Sequence, residues 1–210
     1  MTGPDFLGGL AAIADQYDAV LCDVWGVIHN GRFAFEEACE ALVRFRDQGG
    51  AVCLITNAPV PKDRATRYFD PLGVPNEAYD DCVTSGDATR QLLSERAGEV
   101  FYRMGADEGW EHDRFLYEGL DLQFGTERNS DTVLCIGLED LENDHPDDYR
   151  DRLAELADRS MEMICANPDI RVRIGDQLVW CAGALAQIFE EEGGTVIYPV
   201  KQFDQNYDLA

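Results

Sequence analysis

Lysine is nearly missing from this chain: only Lys62 and Lys201 occur in 210 residues, and 17 basic residues face 41 acidic ones for a formal charge of -24. Counterion release needs clustered Lys and Arg, so nucleic acid and anionic membrane surfaces are excluded as expected partners. Metal cations are attracted instead, and an acid-rich, lysine-poor surface suits high salt, where screening relieves self-repulsion. Long apolar runs are missing too. Nowhere do about 18 apolar residues follow one another, as a spanning helix requires, and no basic segment leads into an apolar one at the amino terminus. A cytoplasmic protein is expected. C-x-x-C spacing is also absent, and the seven cysteines, Cys22, Cys39, Cys53, Cys82, Cys135, Cys165 and Cys181, are odd in number and widely scattered. That argues against zinc and against a disulfide framework, and several lie in apolar runs, so they read as reduced core thiols. There are no repeats and no low-complexity linker.

What is present is enough apolar material for a real core, 45% of residues, arranged as alternating strand-like and helix-like segments. That alternation is the signature of βαβ units and a mostly parallel sheet. The run Ala19-Val20-Leu21-Cys22 reads as a buried strand that delivers Asp23 into a glycine-containing turn. Open α/β sheets place their ligands at such strand ends. Glu36 to Gln48 follows with Ala38, Ala41, Leu42 and Phe45 at helical spacing and glutamates early, favouring the positive helix start. Gly49-Gly50 ends it. Ala51 to Ile55 is a second buried strand emptying into Thr56-Asn57, and Cys82 to Thr84 a third. From Val100 the pattern restarts with strands at Val100, Thr132 and Met161, a helix over Asp147 to Arg159, a second over Cys181 to Glu192, and a last strand at Thr195 to Tyr198. Trp110 and Trp180 are expected to pack this later lobe and its junction.

Three candidates for chemistry stand at strand ends or just beyond: Asp23, the pair Thr56-Asn57, and Lys201. A carboxylate nucleophile, hydroxyl and amide groups for phosphate oxygens, and a lysine to neutralise charge are the parts that phosphoryl transfer uses. Each has a plainer reading, since Asp23 could cap its turn and Asn30-Gly31 is first a tight-turn signal.

The order and spacing resemble the haloacid dehalogenase-like (HAD) superfamily, class IIA, and the resemblance spans nearly the whole chain. Asp23-Val24-Trp25-Gly26-Val27 resembles the nucleophile motif, Thr56-Asn57 the second motif, Thr84-Ser85-Gly86 the entry to a cap, and Ala166-Asn167-Pro168-Asp169 the return from it. Cys181 to Leu185 resembles the start of the helix before the lysine motif, and Lys201 the lysine itself. The resemblance implies an α/β fold: a Rossmann-like three-layer core, residues 1–86 and 179–210, with an inserted α/β cap of the C2 type over 87–178. It implies a phosphatase acting on a small phosphorylated metabolite through an aspartyl-phosphate on Asp23, with Thr56, Asn57 and Lys201 on the phosphoryl oxygens. Mg²⁺ is the implied cofactor, on the Asp23 carboxylate and the backbone carbonyl of Trp25.

Two departures temper that expectation. Active relatives carry an acid two residues after the nucleophile, where Trp25 stands; losing such acid/base help costs about 10²–10⁴-fold. His29 in the following turn is the candidate stand-in. A subset of class IIA relatives also carries Asp-Val-Trp-Gly-Val, so Trp25 marks a subgroup. The family also supplies a Gly-Asp strand after the lysine, which the nine residues following Lys201 do not contain. A core without its C-terminal strands is therefore expected, its first strand edge bare and self-association favoured. The alternative is a non-catalytic phosphate-binding or scaffold protein on the same fold.

Overall fold

The computed structural model describes residues 8–106, 112–174 and 176–199; Trp110 and Lys201 lie outside them. The first part of the chain runs β1 (Ala19–Asp23), α1 (Glu36–Asp47), β2 (Ala51–Thr56), short helices α2 (Lys62–Ala65) and α3 (Phe69–Leu72), β3 (Asp81–Thr84) and α4 (Ser85–Glu95). The second runs β4 (Val100–Met104), α5 (His112–Phe115), β5 (Gln123–Phe124), β6 (Thr132–Cys135), α6 (Arg150–Asp158) and β7 (Glu162–Cys165). It continues through β8 (Arg171–Ile174), β9 (Gln177–Trp180), α7 (Ala182–Glu191) and β10 (Thr195–Ile197).

β1, β2 and β3 form a parallel sheet in that order, with Asp23 opposite Ile55 and Thr56 opposite Thr84. The three strands therefore end together, and their carboxyl ends supply one shared ledge. α1 covers one face because Cys39, Leu42 and Phe45 recur along one side and pack with Val52, Leu54 and Cys82. Glu36 and Glu37 in its first turn and Arg44 and Arg46 in its last match the helix dipole. Thr84 caps α4 through a reciprocal bond with Asp87, a contribution of about 1 kcal/mol. No described strand pairs with the outer edge of β1, and Leu21 on that strand is exposed.

The second sheet is parallel, in the order β10-β7-β6-β4-β5, and β8 and β9 form a separate antiparallel hairpin. Here the sequence expectation is corrected. Within residues 179–210, expected with the first sheet, α7 and β10 join the second: β10 pairs with β7, Val196 opposite Met163, and α7 packs on the same sheet. The cause is burial, since Ala182, Leu185, Ala186 and Phe189 sink into one cluster with Met163, Cys165 and Leu153. Each large side chain so buried contributes about 1.5–3 kcal/mol. The opposite face is closed by α4, through Leu93 against Phe101 and Leu134. As expected, the cysteines are thiols, five of the seven buried.

Candidate active site

The first turn after β1 is built around one indole and one glycine. Asp23 ends the strand and its Oδ1 accepts the Val24 N–H at 2.8 Å. Asn30 Oδ1 then accepts the N–H groups of Arg32 and Phe33, at 3.0 and 3.1 Å, closing the turn that Asn30-Gly31 announces. Gly31 is required twice. Its φ is +83°, and a Cβ there would lie 2.8 Å from Trp25 Cη2. The rim of the Trp25 ring is thus laid against backbone, while its Nε1–H donates to the carbonyl of Arg173 in β8, at 3.1 Å and 148 residues away.

Thr56 ends β2, buried, its Oγ1 accepting the Ala58 N–H at 3.2 Å and keeping its own hydrogen to donate. Asn57 is also buried, and its Nδ2 donates to Asp169 Oδ1 at 3.0 Å. That bond ties the end of β2 to the loop returning from β7. It also fixes the amide's orientation, because only the nitrogen can face a carboxylate. Asn57 Oδ1 is buried with no protein partner among the described residues.

A polar cavity of about 470 Å³ lies at this ledge, lined by Asp23, Trp25, Thr56, Asn57, Asp169 and, from the hairpin, Arg171 and Arg173. Four of the residues singled out in the sequence thus meet: Asp23, Trp25, Thr56 and Asn57. Lys201 lies outside the described residues. His29 is elsewhere. It is buried, its Nδ1 accepts the Gly31 N–H at 3.1 Å, it packs edge-on against Trp25, and burial lowers its pKa. Because Nδ1 accepts, the neutral ring carries its proton on Nε2, and His29 lines the neighbouring cavity beside Trp25 and Thr56. Arg171, Arg173 and Asp169 were not singled out as site residues. The available signal was the Arg-Val-Arg alternation of 171–173 in a chain so short of positive charge.

The cavity's potential ligands are hard oxygens, the carboxylates of Asp23 and Asp169 and nearby carbonyls, and among the described residues no three His, Cys, Asp or Glu form a metal cluster. This donor set suits Mg²⁺, which keeps several waters and binds through one or two carboxylates plus phosphate oxygens. It does not suit zinc.

A parallel α/β sheet whose strand ends present an aspartate, a threonine and an asparagine beneath a second α/β unit defines a hydrolase class, and the comparisons agree. A family model described as haloacid dehalogenase-like hydrolase matches residues 20–115. A crystal structure of a haloacid dehalogenase-like family hydrolase from Brucella suis 1330 superposes with a TM-score of 0.88 at 42% identity, over 95% of this chain and 72% of that one. The chain belongs to the haloacid dehalogenase-like hydrolase family. More distant structures share the fold. One, a possible sugar phosphatase from Cytophaga hutchinsonii, has a TM-score of 0.72 at 17% identity, over 97% of this chain and 74% of that one. Another, a glycerol phosphate phosphatase from Mycobacterium tuberculosis in complex with magnesium, has a TM-score of 0.66 at 19% identity, over 94% of this chain and 58% of that one. No curated protein matches the chain.

Proposed function

We propose that the chain is a phosphatase-type hydrolase acting on a small phosphorylated metabolite through Asp23. The observation that carries this reading is the meeting of Asp23, Thr56, Arg171 and Arg173 around one cavity, a nucleophile beside donors and positive charge in an otherwise acidic protein. An Asp23 carboxylate oxygen attacks phosphorus, and the ester P–O bond breaks with its electron pair leaving on the alcohol oxygen. Water then attacks phosphorus of the acyl phosphate, releasing inorganic phosphate, a proton and the restored carboxylate. Thr56 Oγ–H and the two guanidiniums hold the phosphoryl oxygens through both steps, a task shared with Lys201 by family resemblance. Asp23 and the Trp25 carbonyl would hold Mg²⁺, which supplies neutralisation of phosphoryl charge when bound.

The test is hydrolysis of 4-nitrophenyl phosphate with Mg²⁺ by the chain and by Asp23→Asn. Loss of turnover in the variant is expected; equal rates refute the reading. A binding protein without hydrolysis is the second reading, favoured by Trp25, whose indole N–H is committed to Arg173. It predicts phosphate-analogue binding by calorimetry with no turnover in either protein.

A further inference from the structure

A second cavity of about 440 Å³ adjoins the polar one, and the two are continuous, because Trp25, Thr56, Asn57, Asp169 and Val172 line both. Beyond that shared rim their walls differ. Asp23, Arg171 and Arg173 line the polar cavity and not the second, whereas His29 lines the second and not the polar one. In an in-line displacement the leaving oxygen stands on the far side of phosphorus from the attacking Asp23 oxygen. It therefore faces the rim and the chamber where His29 stands.

The imidazole is held in place before any ligand arrives. It stands edge-on to Trp25 with ring centroids 5.2 Å apart, and tilted against Phe69 at 5.9 Å. Its backbone is fixed too, the carbonyl accepting the Gly26 N–H at 2.8 Å and the N–H donating to the Val24 carbonyl at 3.4 Å. The Gly31 N–H aimed at Nδ1 leaves no room for a proton there, so the ring is neutral and its hydrogen sits on Nε2. Only 5% of the residue is exposed, and that Nε2–H meets no acceptor among the described residues. A donor kept from bulk water and left unmatched is costly. An oxygen of a ligand in the chamber would match it.

We infer that His29 is a catalytic residue of this site, a neutral imidazole whose Nε2–H hydrogen-bonds the oxygen joining phosphorus to the leaving alcohol. The inference rests on the phosphatase reading above. As an Asp23 oxygen bonds to phosphorus and the ester P–O bond breaks, the electron pair stays on that oxygen, and its growing charge strengthens the bond from Nε2–H. His29 keeps its proton, since a neutral imidazole acts by polarising rather than by ionising. The departing oxygen takes a proton from water, and the hydroxide so formed is neutralised by the proton that hydrolysis of the acyl phosphate releases. His29 thus supplies the hydrogen bond of the acid absent at position 25, without its proton.

Two variants separate this role from packing. In His29→Gln the amide nitrogen takes the place of the Nε2 donor and the Gly31 bond is lost; in His29→Asn the amide oxygen keeps the Gly31 bond and its nitrogen stops short of the chamber. With Mg²⁺, kcat/KM for phenyl phosphate should fall about 10–100-fold in His29→Asn, the worth of a hydrogen bond to a charged oxygen, and clearly less in His29→Gln. The deficit of His29→Asn should shrink with 4-nitrophenyl phosphate, whose leaving oxygen is the weaker base. An Asn variant at least as active as Gln, or equal deficits for both substrates, makes His29 a packing residue and overturns the inference, while leaving the phosphatase reading intact. Independently of turnover, the imidazole nitrogens of isotope-labelled Asp23→Asn are followed by NMR while phenyl phosphate is added until calorimetry shows the site filled. The Nε2 resonance should move and the Nδ1 resonance should hold. An unmoved Nε2 in the filled site overturns the inference even where the wild type turns over, and a failure to bind phenyl phosphate overturns both readings. A moved Nε2 with no turnover by the wild type upholds the contact and refutes the hydrolase.

Discussion

Replacing Gly183 with alanine sets a local preference against a tertiary contact at one atom. Gly183 is the second residue of α7, and alanine in a helix is favoured over glycine by about 1 kcal/mol, so propensity alone predicts stabilisation. The tertiary structure predicts the opposite. A Cβ on Gly183 would lie 2.1 Å from the carbonyl oxygen of Pro168 and 2.7 Å from that of Asp169. Both are backbone atoms, so the loop must retreat by more than an ångström to restore ordinary contact. Overpacking of this kind costs about 1–3 kcal/mol, which outweighs the helix gain or cancels it at the lower limit. The displaced loop carries Asp169, the acceptor of the Asn57 amide, so the strain reaches the site. Gly183→Ala should lower the urea midpoint, with a net loss of up to about 2 kcal/mol, and should also reduce turnover of 4-nitrophenyl phosphate. Ala184→Gly, one position along, reports the propensity cost together with the loss of one buried methyl. A Gly183→Ala protein that is about 1 kcal/mol more stable and fully active would refute the close approach of α7 to the 168–169 backbone.

Asp169→Ala should cost about 1–3 kcal/mol by stranding the buried Asn57 amide. In urea denaturation the Asn57→Ala, Asp169→Ala double variant should lose less than the sum of the singles, and strict additivity would show that the two do not interact. Asp80 accepts the Val52 N–H at 2.7 Å and the Arg46 Nε–H at 3.0 Å, and these two bonds, the backbone one foremost, hold its carboxyl below the usual carboxylate range. A lowered folded-state pKa gives stability that is present above the unfolded value, near pH 4, and lost as pH falls through the folded one. Asp80→Asn should therefore be less stable than wild type at neutral pH, with the gap closing in acid; a gap constant down to pH 2 would contradict this. Burial pushes the Cys82 and Cys181 thiols up to about 12, so both should resist a thiol-labelling disulfide reagent at pH 8 until urea unfolds the protein. Rapid labelling of either in the native state would place it at the surface.

Much of the first sheet was legible because its signals are local. Ala19 to Cys22 and Ala51 to Ile55 are short apolar runs closed by turn residues, and α1 repeats its buried positions every three or four residues, so each segment states its own structure. The carboxylate and hydroxyl at the strand ends followed from those runs, and the turn at Asn30-Gly31 from its side-chain chemistry. The hairpin β8–β9 escaped notice because its strands are four residues each and β8 carries arginine at alternate positions, which reads as exposed chain when no partner is known.

The sequence by itself determined the strands of the first sheet, helix α1 and the ledge on which Asp23, Thr56 and Asn57 stand, since periodicity and turn chemistry act over a few residues. Only the tertiary structure decided that Thr195–Ile197 pairs with β7, since its short apolar pattern would suit either sheet and the choice was made by the burial of α7. Tertiary structure also turned Trp25 from a missing acid into a wall, by bringing the Arg173 carbonyl to its indole N–H and Gly31 to its rim. It joined Asn57 to Asp169 and brought Arg171 and Arg173 to the cavity that Asp23 lines. The bonds of Trp25 to Arg173 and of Asn57 to Asp169 link segments more than 100 residues apart, and no local preference encodes them.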